Sequence, residues 1–139
     1  NLLQRQSVAE LGVTTVQWAV LGALSQEKFT EGIPLRQLGE YLVVSRQNLD
    51  GVLKRLERDG LVVRVVEAED RRARLVKLTP AGRAFWGDLS ERIFQFYDQA
   101  AASFRFDDRV SLAYYLNKLQ GDLTAVKLPS RKKSRRPSS

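Results

Sequence analysis

One helical segment, from Ser45 to Gly60, constrains the fold more than any other stretch of the chain. Its apolar residues recur at the i, i+3, i+4 and i+7 positions of one helical face, and they are Leu49, Val52, Leu53 and Leu56. Ser45 suits the N-cap position, and Gly60 suits the end of the helix because glycine tolerates a positive φ. One face of this helix is therefore predicted to be buried, while its first turn points into solvent.

A second, shorter helix is predicted immediately before this segment. The stretch from Leu35 to Leu42 places its leucines on one face, and only Val43 and Val44 separate it from Ser45. Two helices joined by a turn of about three residues have the spacing of a helix-turn-helix.

Two strands and a charged loop follow the helix pair. Leu61–Val66 is rich in β-branched residues and predicts a strand, Glu67–Ala73 predicts a polar loop, and Arg74–Leu78 predicts a second strand. A hairpin directly after a helix-turn-helix is a wing. The predicted fold class is mainly α with a small β-hairpin wing (α+β), a winged helix-turn-helix with long dimerisation helices.

The chain before the helix-turn-helix is predicted to hold two helices. Residues 2–11 form a helix that ends at Gly12, and Thr14 caps the next one. The buried face of that second helix is Val16, Ala19, Val20, Ala23 and Leu24. A loop containing Gly32 and Pro34 then leads to Leu35.

Two long helices are predicted after the wing. Thr79 suits the N-cap and Pro80 the first position of a helix that reaches about Ser103, and Asp107 is expected to cap a last helix. The apolar residues of the last helix alternate at spacings of four and three, as in a coiled-coil seam: Leu112, Leu116, Leu119, Leu123 and Val126. These helices predict a dimer interface; the alternative is that they pack only on each other.

The whole chain is predicted to be one domain with a tail. The winged helix-turn-helix domain spans 1–126, with a DNA-binding core at about 14–78 and dimerisation helices at about 1–11 and 80–126. The tail, 127–139, has six basic and no acidic residues and is expected to be flexible. It is either a solvated appendage or an additional phosphate contact.

Composition restricts the chemistry that is open to the chain. It has no Cys and no His, which excludes thiol nucleophiles, histidine bases and metal sites built from either residue. No two carboxylates stand in a context that suggests a catalytic cleft, so we expect no enzyme, no metal and no cofactor. No apolar run approaches the ~20 residues of a membrane span, and we expect a cytoplasmic protein with no membrane partner.

Positive charge gathers around the helix-turn-helix and in the tail. The net charge is +7, and residues 36–77 hold ten basic residues against seven acidic ones. A basic patch is typical of proteins that bind nucleic acid, so double-stranded DNA is the expected partner.

The first turn after Ser45 carries side chains that suit base edges. Arg46 can pair with guanine, and Gln47 or Asn48 can pair with adenine. Lys54 and Arg55 lie further along the helix and are better placed for phosphates, which position the protein without specifying a sequence. The alternative is a solvated polar face, but the order helix, turn, helix and basic hairpin favours DNA.

The loop between the strands supports the same interpretation. Asp70 can hold one guanidinium of Arg71 or Arg72, while the other projects into a narrow minor groove. The alternative is a surface ion pair of little energetic value. The complete set of predicted DNA-contacting residues is Arg36, Ser45, Arg46, Gln47, Asn48, Lys54, Arg55, Asp70, Arg71, Arg72 and Arg74.

From about Leu11 to Arg83 the chain resembles the MarR family of bacterial transcription regulators. The stretch "LGVTTVQWAVLGAL" resembles the family's helix before the helix-turn-helix, and "LRQLGEYLVVSRQNLDGVLKRLERDGLVVR" resembles its helix-turn-helix and first wing strand. The stretch "EDRRARLVKLTPAGR" resembles the wing signature Asp-x-Arg followed by Leu-Thr-x-x-Gly. Its positions here are Asp70, Arg72, Leu78, Thr79 and Gly82.

The resemblance implies a homodimeric regulator that binds a pseudo-palindromic operator. It also implies that Arg72 enters the minor groove and that Asp70 orients it. Many members release DNA when a small, often aromatic, molecule binds, so we predict a repressor of this kind. The candidate effector-binding residues, which also suit an ordinary core, are Trp18, Tyr41, Phe85 and Trp86.

The chain departs from the family pattern in the second helix and at its start. Asp50 and Gly51 stand where the family often has a small polar residue and then Arg. A carboxylate near phosphate or guanine repels, although Asp can accept a hydrogen bond from cytosine. Little of the family's long first helix is present, and the chain starts at Asn1 rather than Met, so we expect part of the native N-terminus to be missing.

Three other classes of function stay open. The first is an architectural, chromatin-type winged-helix protein that binds DNA without sequence choice and shows a steep salt dependence. The second is a winged domain used for protein assembly. An enzyme is the class that the composition supports least.

Overall fold

The computed structural model describes residues 1–66 and 74–131. Within these ranges the elements are α1 (Leu2–Leu11), α2 (Thr15–Leu24), a short 3-10 helix (Glu27–Phe29), β1 (Ile33–Pro34), α3 (Leu35–Leu42), α4 (Arg46–Arg58), β2 (Val62–Val66), β3 (Arg74–Leu78), α5 (Pro80–Ala100) and α6 (Phe106–Thr124). Two predicted features, the wing loop with Asp70, Arg71 and Arg72 and most of the basic tail, lie outside the described residues.

The structure confirms the predicted helix-turn-helix and both wing strands. Helices α3 and α4 are joined through Val43, Val44 and Ser45, and the Ser45 hydroxyl accepts a hydrogen bond from the Asn48 N–H at 3.3 Å. Gly60 has the expected positive φ, 74°. Strands β2 and β3 pair antiparallel, with Arg64 opposite Val76. The chain therefore has the winged helix-turn-helix fold that the sequence predicts.

The sheet contains a third strand that the sequence did not predict. β1, within the predicted loop, pairs antiparallel with β3, so that Ile33 lies opposite Val76 and the strand order is β1-β3-β2. Pro34 is tolerated because β1 is an edge strand, where one missing N–H breaks no internal ladder. A strand of two residues is too short to show any period in the sequence.

The start of α6 corrects a second prediction. The helix begins at Phe106 with Arg105 at the N-cap position, so the prediction that Asp107 caps it is wrong. The neighbouring Asp108 carboxylate accepts a hydrogen bond from the Arg105 backbone N–H at 2.8 Å. Asp108 thus performs the reciprocal half of a capping box from the third helical position.

One hydrophobic core joins the helix-turn-helix to α2 and the sheet within residues 1–100. Its fully buried side chains include Val20, Leu21, Leu24, Ile33, Leu38, Leu49, Leu53, Leu56 and Val76. Since the three leucines of α4 all face this core, the opposite side of α4 is directed outward. The core therefore sets which side chains the helix presents.

The chain divides at residue 100 into two compact units, of which the second contains α6. The apolar seam of α6 is exposed in the single chain, with 46% of Leu112, 57% of Leu116, 54% of Leu119 and 61% of Leu123 accessible. Leucines at helical spacing that stay this exposed are characteristic of a surface that meets a partner.

A tight corner connects the wing to α5. The Thr79 hydroxyl donates to the Gly60 carbonyl at 2.6 Å and accepts from the Gly82 N–H at 2.9 Å. The Thr79 backbone N–H donates to the Leu61 carbonyl at 3.1 Å. These contacts confirm Thr79 as the N-cap and Pro80 as the first residue of α5, and they bind the helix start to the base of the wing.

Val43, in the turn between α3 and α4, holds a strained backbone conformation. Its φ and ψ are 55° and 47°, and 90% of the residue is exposed. The left-handed region costs an L-residue about 1–2 kcal/mol, and a β-branched residue is especially unfavourable there.

Val43→Gly is expected to raise the free energy of unfolding by about 1 kcal/mol, because the relieved strain exceeds the extra chain entropy of glycine. Urea denaturation followed by circular dichroism measures the change. Val44→Gly is the matched control and should destabilise, because Val44 packs against the core. A loss of stability in Val43→Gly would contradict the strain argument.

No single helix among the described residues is long and apolar enough to cross a membrane. Helices α1 and α2, which are bent by 66° relative to each other, reach the required length and apolar composition only when taken together. Within the same residues, no group of three or more acidic side chains is arranged to hold a metal ion.

Candidate nucleic-acid interface

The first turn of α4 stands on the surface of the molecule. Arg46, Gln47 and Asn48 are all exposed, while Leu49, the next residue, is fully buried. The buried leucine fixes the rotation of the helix, and the three polar side chains before it therefore face solvent. Backbone N–H groups at a helix start also favour a negatively charged partner.

A recess alongside α4 brings together residues that are far apart in the sequence. It is lined by Pro34, Leu35, Arg36, Arg46, Gln47, Asp50, Arg64, Arg74 and Val76. Four of the predicted DNA-contacting residues, from α3, α4 and β3, thus meet in one place. Of these, Arg36 also pairs with Glu40 one helical turn later at 3.3 Å, an exposed contact of little energetic value.

A second recess borders the opposite side of α4. It is lined by Gln4, Thr14, Val16, Gln17, Gln47, Asn48, Gly51, Val52 and Arg55. Gln47 borders both recesses, so the start of α4 forms a ridge between them. A helix that protrudes in this way has the shape that enters a DNA major groove.

Four charged side chains form a network between α4 and β2. Lys54 Nζ lies 3.0 Å from Asp50 Oδ2, and Arg64 Nη2 lies 3.2 Å from Asp50 Oδ1. Arg64 Nε is buried and lies 3.3 Å from Glu57 Oε2, an ionic contact without hydrogen-bond geometry. The hydrogen bond from Lys54, and then that from Arg64, lowers the pKa of the Asp50 carboxyl below its ordinary value.

Sequence reasoning missed Arg64 and Glu57 as parts of this network. The i, i+4 spacing of Asp50 and Lys54 indicates their ion pair. Nothing in the sequence shows that Arg64, 14 residues after Asp50, reaches back from a strand to the same carboxylate.

The DNA contacts predicted for the wing loop remain predictions. Asp70, Arg71 and Arg72 lie outside the described residues. The strands that flank them in the chain are paired as far as Val66, which lies opposite Arg74. Arg74 is exposed and belongs to the recess beside α4.

Two of the four candidate effector residues, both tryptophans, pack against the core. The ring of Trp18 meets that of Tyr97 edge-on, with the centroids 6.3 Å apart. Trp86 lies over Gly22, where an added Cβ would stand 2.8 Å from the tryptophan Cη2. These contacts are those of ordinary core aromatics.

The other two candidate effector residues lie in separate surroundings. Tyr41 meets Phe29 edge-on at 5.6 Å and its hydroxyl accepts a hydrogen bond from the Gln26 amide at 2.7 Å. Phe85 lines a recess with Leu11 and Leu89 between α1 and α5. The described structure thus places the four aromatic side chains against different neighbours rather than around one cavity.

A helix-turn-helix followed by a pair of antiparallel strands defines the class of winged helix-turn-helix proteins, and here the start of its second helix is exposed between two recesses. A MarR family model matches residues 11–73. The transcriptional activatory protein BadR of Rhodopseudomonas palustris is 43% identical over 123 residues, which cover 86% of this chain and 70% of BadR. The chain belongs to the MarR family.

Solved structures of regulators share the fold. The PcaV transcriptional regulator of Streptomyces coelicolor, in complex with its natural ligand, is 29% identical with a TM-score of 0.72, over 86% of this chain and 82% of PcaV. The transcriptional repressor CouR, bound to a 23-mer DNA duplex, is 27% identical with a TM-score of 0.72, over 83% and 80% of the two chains.

Proposed function

We propose that this protein is a sequence-specific DNA-binding transcriptional regulator. The observation that carries the proposal is the recess beside α4, where Arg36, Arg46, Gln47 and Arg74 meet next to an exposed helix start. Arginine and glutamine are side chains that read guanine and adenine in the major groove. The binding of CouR, a protein of the same fold, to a DNA duplex supports the proposal.

The proposed regulator acts as a homodimer on a pseudo-palindromic operator. The exposed leucine seam of α6 supports this part of the proposal, because a two-fold axis brings the same surface of both copies together. Each copy then presents one α4 to the DNA. Half-site centres are expected about 34–36 Å apart, one helical turn of the duplex.

A small molecule, of the often aromatic kind that the family resemblance implies, is proposed to release the protein from DNA. PcaV, a regulator of the same fold, binds a natural ligand, which supports control of this chain by a ligand. BadR is named an activatory protein and CouR a repressor. A bound dimer that covers a promoter blocks access to it, so we predict repression where the operator overlaps a promoter.

Selection from a random pool of DNA duplexes at about 150 mM salt tests the proposed function. An enriched inverted repeat with half-sites one helical turn apart supports a dimeric specific regulator. Binding without enrichment supports the alternative of an architectural protein that binds DNA non-specifically. Absence of binding at this salt concentration contradicts a DNA-binding role and favours protein assembly.

Asn48→Ala is expected to relax sequence choice at one base position per half-site. The loss should be about 1–3 kcal/mol against the selected operator and close to zero against random duplexes, since Asn48 is exposed and its amide suits a base edge. Fluorescence anisotropy with both duplexes measures the two affinities. Gln37→Ala is the matched control, because Gln37 is exposed on α3 and lines neither recess. Equal losses on both duplexes would contradict base reading by Asn48.

A further inference from the structure

A single carboxylate stands among the described residues that line the recess beside α4. Asp50 lies one helical turn after Arg46 and one turn before Lys54, and its side chain is 36% exposed. The DNA backbone repels negative charge, so a carboxylate here weakens attraction to any duplex. Packing does not require it, because the aliphatic neighbours Leu49 and Leu53 fill the core side of the helix.

Both oxygens of the Asp50 carboxylate are held by cations. Oδ2 lies 3.0 Å from Lys54 Nζ, and Oδ1 lies 3.2 Å from Arg64 Nη2. Arg64 is only 22% exposed and is also anchored by Glu57. The carboxylate is therefore fixed in position on the surface of α4 and is ionised at neutral pH.

The network also neutralises Lys54. Two carboxylates face two cations, so Asp50, Glu57, Lys54 and Arg64 together carry no net charge at neutral pH. A lysine on α4 would otherwise be available to a DNA phosphate, which it contacts without regard to sequence. Its pairing with Asp50 lowers the part of the affinity that all duplexes share.

We propose that Asp50 is a specificity-determining residue, which weakens binding to DNA in general and accepts a hydrogen bond from a cytosine amino group in the operator. Cytosine N4 and adenine N6 both present hydrogens in the major groove, but adenine places the N7 acceptor beside its amino group, so cytosine is the base from which an Asp side chain accepts. Guanine O6 and thymine O4 are acceptors and would repel the carboxylate. This inference rests on the proposed function, since it requires a DNA-binding α4.

Glu57 belongs to the same charge network as Asp50 but lies away from the two recesses, so the two carboxylates can be compared. Both carboxylates bind Arg64, but Glu57 lies seven residues further along α4 and lines neither recess. If the network served only to hold α4 against β2, loss of either carboxylate would affect DNA binding alike. Only Asp50 is placed to meet a base.

Asp50→Asn tests the inference, because asparagine keeps the shape and an oxygen for Arg64 but removes the charge. Binding of wild type and variant to the selected operator and to random duplex is measured between about 50 and 200 mM salt. The variant is expected to bind random duplex about fivefold more tightly at about 150 mM salt, with a salt slope steeper by about 0.9, as one released lysine predicts. Its ratio of operator to random affinity should fall about tenfold.

Three further variants separate charge from structure. Adding Lys54→Gln to Asp50→Asn should return the slope to the wild-type value. Glu57→Gln should leave slope and selectivity unchanged, since Asp50 remains. Asp50→Ser removes the carboxylate with a smaller side chain and should act in the same direction as Asp50→Asn. Selection from a random pool with Asp50→Asn should lose the preference for cytosine at one symmetric pair of positions.

Three results would overturn the inference. If Asp50→Asn weakens binding to operator and random duplex by one common factor at an unchanged slope, the carboxylate only holds α4 and β2 together. If wild type prefers an operator and Asp50→Asn selects the same one with the same ratio, the inference fails while the proposed function stands. A wild type without any operator preference overturns both.

Discussion

Gly82→Ala is expected to unfold the protein or to remove most of its stability. A Cβ on Gly82 would stand 1.9 Å from the Leu61 carbonyl oxygen and 2.8 Å from the carbonyl carbon. These are backbone atoms, so no side-chain rotation relieves the overlap, and α5 must separate from the base of the wing. That movement also breaks the hydrogen bonds of Thr79 to Gly60 and Leu61.

The expected loss for Gly82→Ala is more than about 4 kcal/mol, which approaches the whole stability of a small domain. Urea denaturation followed by circular dichroism measures it. Gly87→Ala is the matched control in the same helix: its Cβ would meet nothing within 4 Å. That variant should gain about 0.5–1 kcal/mol, because alanine favours a helix interior. If Gly82→Ala lost less than about 1 kcal/mol, the corner would be far looser than its geometry indicates.

The sequence predicts well those elements in which a periodic apolar stripe runs over several residues and a capping residue stands at each end. α4 shows its stripe over the eight residues from Leu49 to Leu56, and the structure places Ser45 at the N-cap and gives Gly60, just after the C-cap, the expected positive φ. β1 offers only Ile33 and Pro34, and its existence depends on a partner strand some forty residues later in the chain. Local pattern cannot reveal a pairing of that kind.

The start of α6 shows how neighbouring residues compete for one role. Asp107 and Asp108 both suit a helix N-terminus by residue type. The structure puts both inside the first turn, where Asp108 accepts from the Arg105 N–H, and leaves the cap itself to a residue without a suitable side chain. The sequence therefore predicts that a helix lies here, but its first residue depends on which aspartate accepts the hydrogen bond from the N-cap N–H.

Some features of the candidate site follow from a local sequence pattern, and others depend on the three-dimensional path of the chain. The exposure of Arg46, Gln47 and Asn48 follows from the stripe on the opposite side of α4, so the sequence predicts it. The meeting of Arg46 and Gln47 with Arg74, and the contact of Arg64 with Asp50, depend on how the sheet passes the helix, which no local pattern shows. The aromatic residues proposed for an effector were predictable only as a set, because the same residue types also build cores.

Leu116→Asp is expected to dissociate the proposed dimer. Leu116 lies in the middle of the seam of α6 and is 57% exposed in the single chain. In a two-fold dimer each substitution occurs twice, so two buried leucines are lost, each worth about 1.5–3 kcal/mol, and two carboxylates approach each other in an apolar surface. The dissociation constant should rise more than about 1000-fold, equivalent to about 4 kcal/mol.

Sedimentation velocity at micromolar protein concentration measures the change in mass caused by Leu116→Asp. Fluorescence anisotropy with a full operator and with a single half-site measures the change in affinity for DNA. Asn117→Asp is the matched control, since it adds the same charge on the opposite side of the helix from the seam. A monomeric Leu116→Asp that binds a half-site as well as wild type would separate dimerisation from base contact. A variant that stays dimeric would contradict the proposal that the seam of α6 is the interface between copies.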